Sequence, residues 1–113
     1  MLAQIYSLKG ERRINKILKT GKRKQSDHFG AFYIYREDND YPKFAFVISK
    51  KISKLAVHRN RIKRAMSESV RRNIKGVPDG IEIVFLAKKQ IVKRTTDEIM
   101  KEVQDFISNI EFL

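Results

Sequence analysis

Residues 43–72, "KFAFVISKKISKLAVHRNRIKRAMSESVRR", decide the fold, because a strand pattern gives way there to a helix pattern across a short basic loop. In "KFAFVIS" Phe44, Phe46 and Ile48 alternate onto one face, the two-residue period of a β-strand. From Ile62 the period changes: Ile62, Met66, Val70 and Ile74 follow at steps of four with Ala65 beside them, which lines one side of a helix. Beyond Gly76, Pro78 and Gly80 a second apolar run, "IEIVFLAK" at 81–88, reads as a largely buried strand. Strand, helix and strand at this spacing predict a βαβ unit whose two strands run parallel.

Working outward, "FGAFYIYR" at 29–36 predicts a further strand, with Phe29, Ala31, Tyr33 and Tyr35 on one face and Phe32 and Ile34 on the other. The turn signal "EDNDYP" joins it to 43–49, and the two strands are expected to form an antiparallel hairpin. Both faces of that hairpin are apolar or aromatic. One is expected on a core helix, and the other either under a second helix or partly open as an aromatic groove. In "GERRINKILKT", 10–20, Ile14, Ile17 and Leu18 make the stripe of a short helix ending at Gly21, and "KRKQSDH" reads as a polar basic connector. "TTDEIMKEVQDFISNI" opens with the capping-box pair Thr95 and Glu98, and Ile99, Val103, Phe106, Ile107 and Ile110 give it an apolar face. The expectation is a single α+β domain over 1–113, ordered α-β-β-α-β-α, with helices packed on a small mixed sheet and no internal repeat.

The chain has 25 Lys and Arg against 13 Asp and Glu, a formal net charge of +12. Such an excess opposes compaction by self-repulsion and points to a polyanionic partner, nucleic acid first. A membrane surface competes poorly. No apolar run approaches spanning length, and the basic segment lacks the wide Trp, Phe and Leu face of an interfacial helix. There is no cysteine, which removes disulfides, thiol catalysis and cysteine metal sites. His28 and His58 have no histidine three or four residues away and no neighbouring carboxylate cluster, so no metal site is assigned. The first residues lack the apolar segment of a secretory signal, and a cytoplasmic location is expected.

Charge concentrates in Lys50–Arg72, which holds nine Lys and Arg and one acid, Glu68. On the helical wheel Asn60, Arg64, Ser67 and Arg71 form a row opposite the apolar arc, with Arg61, Glu68 and Arg72 beside it. Mixed acid and base explain Arg71, Arg72 and Glu68 as solvated surface. They do not explain Lys63, which falls at the edge of the apolar arc with Arg59 near it. A charge so placed is costly to bury unpaired, and is expected to emerge at the helix edge toward an anion. Arginine's planar fork suits phosphate, and lysine adds a compact charge. Lys50, Lys51 and Lys54 extend the patch into the preceding loop. Asn60 fits either a helix N-cap or an RNA contact.

The run Ala56-Val57-His58-Arg59-Asn60-Arg61-Ile62-Lys63-Arg64 resembles the signature of the protein component of bacterial ribonuclease P, and "FVISKKIS" is similar to the strand and lysine pair that precede it. The resemblance spans about residues 8–107. It implies a protein that binds a large catalytic RNA and assists Mg²⁺-dependent endonucleolytic removal of the 5′ leader from precursor tRNA, the chemistry being carried by the RNA with Mg²⁺ bound mainly there. It also implies a left-handed βαβ crossover, where general chirality would predict the right-handed form. Carried over by position, Arg59, Asn60, Arg61, Lys63 and Arg64 would face the catalytic RNA, joined by Lys50, Lys51 and Lys54 of the same patch. Ile14 and Leu18, with Phe32 and Ile34, would line a cleft for the single-stranded leader. The family commonly has phenylalanine at the first two, so apolar contact replaces ring stacking there. Ser53 replaces a usual glycine in a loop one residue longer, and Ala87-Lys88-Lys89 replaces alanine-arginine-proline.

On composition alone, a ribosomal or architectural RNA-binding protein without a processing role ranks first. A helix-turn-helix DNA binder fits poorly, since the basic helix lies between strands, and no DNA partner is expected. A protein-only nuclease would need His28 and His58 together, or converging carboxylates. Asp38 and Asp40 fall in a turn and Glu98 in a cap, so no catalytic residue is assigned within the protein.

Overall fold

A computed structural model describes residues 2–36 and 38–110; Glu37 of the expected turn, and Met1 and residues 111–113 of the expected domain, lie outside the described residues. The elements are α1 (Glu11–Thr20), β1 (Lys22–Gln25), β2 (Phe29–Tyr35), β3 (Lys43–Val47), α2 (Ala56–Arg72), β4 (Ile81–Ala87) and α3 (Thr96–Asn109). Short 3-10 turns occupy Gln4–Tyr6, Ile74–Gly76 and Lys89–Lys93. The class is α+β, three helices on a mixed sheet of four strands ordered β1-β2-β4-β3.

The parallel pair follows the sequence expectation. β3 runs parallel to β4 with Phe44 opposite Ile83, and α2 makes the crossover between them. The hairpin is corrected. β2 does not pair with β3; it pairs antiparallel with β4, Phe29 opposite Ala87 and Tyr35 opposite Ile81. The reason lies in β4, where Ile81, Ile83 and Phe85 point one way and Val84 the other, all buried. A strand apolar on both faces needs a neighbour on each edge, and inserting it between β2 and β3 supplies both. The basic connector is corrected as well. Lys22–Gln25 is a strand that pairs antiparallel with β2, Lys22 opposite Tyr33, and forms a sheet edge.

One sheet face carries Phe29, Ala31, Tyr33, Phe44, Ile81, Ile83 and Phe85 against Ile62, Ala65, Met66 and Val70 of α2 and Ile99, Val103 and Ile107 of α3. Phe85 centres it, stacked on Phe46 with ring centroids 5.4 Å apart and edge-on to Phe29 at 5.7 Å. The aromatic face is therefore the main core. The opposite face is covered only in part, by α1: Ile17 and Leu8 bury Ala45 and Val84, while Ile14, Leu18, Phe32, Ile34 and Val47 stay half-buried around them.

Two local features fix α1 and the turn before β4. The buried Glu82 carboxylate accepts a hydrogen bond from Arg13 Nε at 3.0 Å and pairs with Arg13 Nη2, which ties the first half of α1 to the centre of the sheet. Gly80 has φ +80°, and a Cβ there would meet the Asp38 carbonyl at 2.5 Å, so only glycine fits. Among the described residues no helix is long and apolar enough to cross a membrane.

Candidate nucleic-acid interface

α2 begins at Ala56, with Leu55 as N-cap residue and no side-chain cap. Asn60 is therefore in the second turn, and its reading as the cap is excluded. Its exposed amide borders two grooves.

The cations of the signature divide by what holds them. Arg61 donates from Nη1 to the Arg94 carbonyl at 3.1 Å and from Nη2 to that of Val92 at 3.2 Å, so its guanidinium fastens the turn before α3. Arg59 Nη1 donates to the Ser53 carbonyl at 2.8 Å and shapes the loop that carries Lys50, Lys51 and Lys54. Those three lysines, Lys63 and Arg64 are exposed. Among the described residues, none of the cations from Lys50 to Arg64 is paired with a carboxylate. Arg71 and Arg72 differ, for both pair with Glu68, and the Arg71 guanidinium holds the Glu68 carboxyl far below the usual range. They are solvated surface, as the mixed charges indicate.

Lys63 lies beside the buried arc of Ile62 and Met66 and opens onto a cleft of about 560 Å³. Asn60, Lys63, Arg64 and Ser67 of α2 form one wall, and Phe44, Ala45 and Phe46 of β3 the floor. Ile14 of α1 and the N-terminal residues Leu2, Gln4, Ser7 and Leu8 stand opposite. Ser67, expected in the outward row, is corrected: it is 8% exposed, under the cleft wall, and its hydroxyl donates to the Arg64 carbonyl. Burial beside β3 outweighs the wheel position because α2 crosses the sheet at its edge. The N-terminal segment reaches the cleft through Leu8 N–H, which donates to the Phe44 carbonyl at 2.8 Å. Nothing in its composition marked it as a partner of β3, and the sequence reading missed it.

Ile14, Leu18, Phe32 and Ile34 do come together, in the half-buried cluster on the open sheet face. A second groove, about 760 Å³, runs between α2 and α3 past Val57, Arg61, Arg64 and Met100. The histidines take separate partners. His28 Nδ1 lies 2.6 Å from Glu102 Oε1, and His58 Nδ1 lies 3.4 Å from Ser53 Oγ. Among the described residues no three His, Asp or Glu side chains gather as metal ligands.

Comparison with known proteins agrees with this geometry. A family model described as Ribonuclease P matches residues 2–111. The ribonuclease P protein component of Clostridioides difficile (strain 630) is 30% identical over 105 residues, covering 92% of this chain and 90% of its own. That of Clostridium kluyveri is 31% identical over 105 residues, with 91% and 92% covered. Among solved structures, the RNase P protein from Thermotoga maritima superposes with a TM-score of 0.80 at 25% identity, over 93% of this chain and 97% of that one. The Staphylococcus aureus RNase P protein gives 0.83 at 23% identity, over 91% and 93%.

Proposed function

The chain belongs to the ribonuclease P protein family, and from that premise we propose that it serves as the protein subunit in tRNA 5′ maturation, holding the catalytic RNA on α2 and the leader of precursor tRNA in the adjoining cleft. The observation that carries this reading is the set of uncompensated cations running from Lys50 through Arg64 and ending at the cleft wall. Lys63 and Arg64 offer charge to RNA phosphates, and Lys50, Lys51 and Lys54 continue the track along the loop. Arg59 keeps one Nη on the Ser53 carbonyl and Arg61 both of its own on the Arg94 and Val92 carbonyls, and so they present the loop and the turn as fixed edges of that surface. Asn60, freed from capping, adds an amide between them. Ile14 lines that cleft, and Leu18, Phe32 and Ile34 extend its apolar surface across the open sheet face, where they hold unpaired bases by area without reading their edges, which suits leaders of varied sequence.

In this reading the RNA carries the phosphodiester hydrolysis. Mg²⁺ is bound mainly by the RNA in this reading; among the described residues no three His, Asp or Glu side chains gather as ligands for it. The protein's part is positional: it fixes the leader beside the RNA surface and supplies positive charge where two polyanions approach.

Reconstitution with a bacterial catalytic RNA, at low Mg²⁺ and near-physiological salt, should accelerate cleavage of precursor tRNA. An unchanged rate, or co-purification with ribosomal RNA alone, would overturn the assignment. Lys63→Glu with Arg64→Glu should weaken assembly and lower the slope of log affinity against log salt by about 1.5, two phosphate contacts' worth.

A further inference from the structure

We infer that the chain carries a second RNA-backbone surface, formed by the outer face of α1 and the β1 edge, on the far side of the sheet from α2. Residues 9–24 hold eight Lys and Arg against one acid, Glu11, a density matching that of the signature region. Of these, Arg13 is used internally, on Glu82, and Lys9 lines the cleft beside α2. Arg12, Lys16 and Lys19 are exposed and recur at i, i+4 and i+7, a stripe about 10 Å long on the side of α1 turned from the sheet. β1 follows directly. Arg23, in register with Phe32, faces the α1 side at the edge, and Lys24, in register with Ala31, faces the other, so the edge is basic from both sides.

Ordinary solvated charge does not account for this surface. Some exposed charges elsewhere pair, Lys101 with Asp105 at 3.3 Å, Arg94 with Glu98 at 3.2 Å, and Arg71 and Arg72 with Glu68; what sets residues 12–24 apart is the density of cations that do not. Among the described residues Arg12, Lys16, Lys19, Arg23 and Lys24 have no such carboxylate. Like charges at i and i+4 also weaken a helix, and α1 has only ten residues to absorb that cost. Lysine on an edge strand guards against stray strand pairing, which covers β1 but leaves the α1 stripe unexplained.

The occupant that fits is a phosphodiester backbone. The α1 face offers its cations around a groove of about 690 Å³ whose lining, Arg12, Asn15, Lys16 and Lys19 among it, has no aromatic ring on which a base could stack, so binding would be independent of sequence. β1 and β3 are opposite edges, about 14 Å apart across three strand spacings, and α1 and α2 cover opposite faces. A strand held by Lys63 and Arg64 therefore leaves this surface free for another RNA segment. The inference rests on the ribonucleoprotein reading above. The segment is assigned to the catalytic RNA, whose backbone α2 holds in that reading, and binding of the body of precursor tRNA there instead would overturn the assignment.

The triple variant K16Q/K19Q/K24Q removes three exposed charges, and K75Q/K89Q/K93Q removes three more from elsewhere on the exposed surface as a matched control. Thermal unfolding checks that both fold. If the catalytic RNA lies there, the salt slope of its binding should drop by about two in the first variant and by much less in the control. If precursor tRNA lies there, that slope holds, while substrate binding to the assembled holoenzyme weakens and loses salt dependence. Unchanged binding of both RNAs, or an equal loss in the control, would overturn the inference alone. Failure of the unmutated protein to bind catalytic RNA would overturn the ribonucleoprotein reading and this inference with it.

Discussion

Glu102 is the residue on which the docking of α3 against the β1–β2 turn depends. Its carboxylate accepts from Ser26 Oγ at 2.7 Å and from the His28 backbone N–H at 2.9 Å, and meets His28 Nδ1 at 2.6 Å. Burial pushes its pKa up, but these donors outweigh burial and hold it below the ordinary value. A carboxyl depressed in the folded state stabilises above its unfolded pKa, and the contribution fades as pH falls through the folded value. Glu102→Gln should therefore cost about 1–2 kcal/mol at neutral pH. In denaturant titrations the gap to the unmutated protein should close in acid, as pH falls through the folded value. A gap that stays constant from neutral to acid pH would show that the carboxylate's charge is not what holds the turn.

Among the elements, α2 trades cap for charge at its start. Leu55 has the extended backbone of an N-cap residue but no side-chain acceptor, and it is 57% exposed. Leu55→Ser should stabilise the fold by about 0.5–1 kcal/mol and leave RNA affinity nearly unchanged. Leu55→Asp should stabilise at least as much, with help from the helix dipole, yet weaken RNA binding by putting an anion beside Lys54 and Arg59. Equal RNA affinity of the two variants would remove the first turn of α2 from the interface. The same missing cap explains why the sequence left Asn60 ambiguous: nothing at Leu55 signals a helix start. Signals that are local were legible. Thr95 and Glu98 make their reciprocal cap, and the arc of Ile62, Met66 and Val70 is buried as its period requires. β1 was illegible because all four of its side chains are exposed, so only main-chain pairing makes it a strand. Strand pairing was illegible because a turn signal at 37–42 reports where the chain bends, not which strands meet. In the site, Lys63 was legible as a charge against an apolar arc, whereas the role of Arg61 depends on carbonyls about thirty residues onward.

At the scale of the whole molecule, a net charge of +12 on a compact chain stores repulsion that the RNA would relieve. Without RNA, raising salt from low to moderate concentration should raise Tm by about 5 °C, as expected for about 1 kcal/mol in a domain of this size. Sulfate should do more than chloride at equal ionic strength. A Tm that is flat or falls with salt would mean the two basic surfaces do not strain the fold. The central place of β4 has a consequence in time. β2 has one of its two partners and β3 has no strand beside it until residues 81–87 exist. At ordinary rates of synthesis the ribosome needs about 2–7 s to add the thirty-odd residues between β3 and β4. Through that interval the nascent chain carries open apolar edges while its most basic helix is being made. A chain cut short before Ile81 would therefore hold only the β1–β2 hairpin and a loose β3, with nothing to join them.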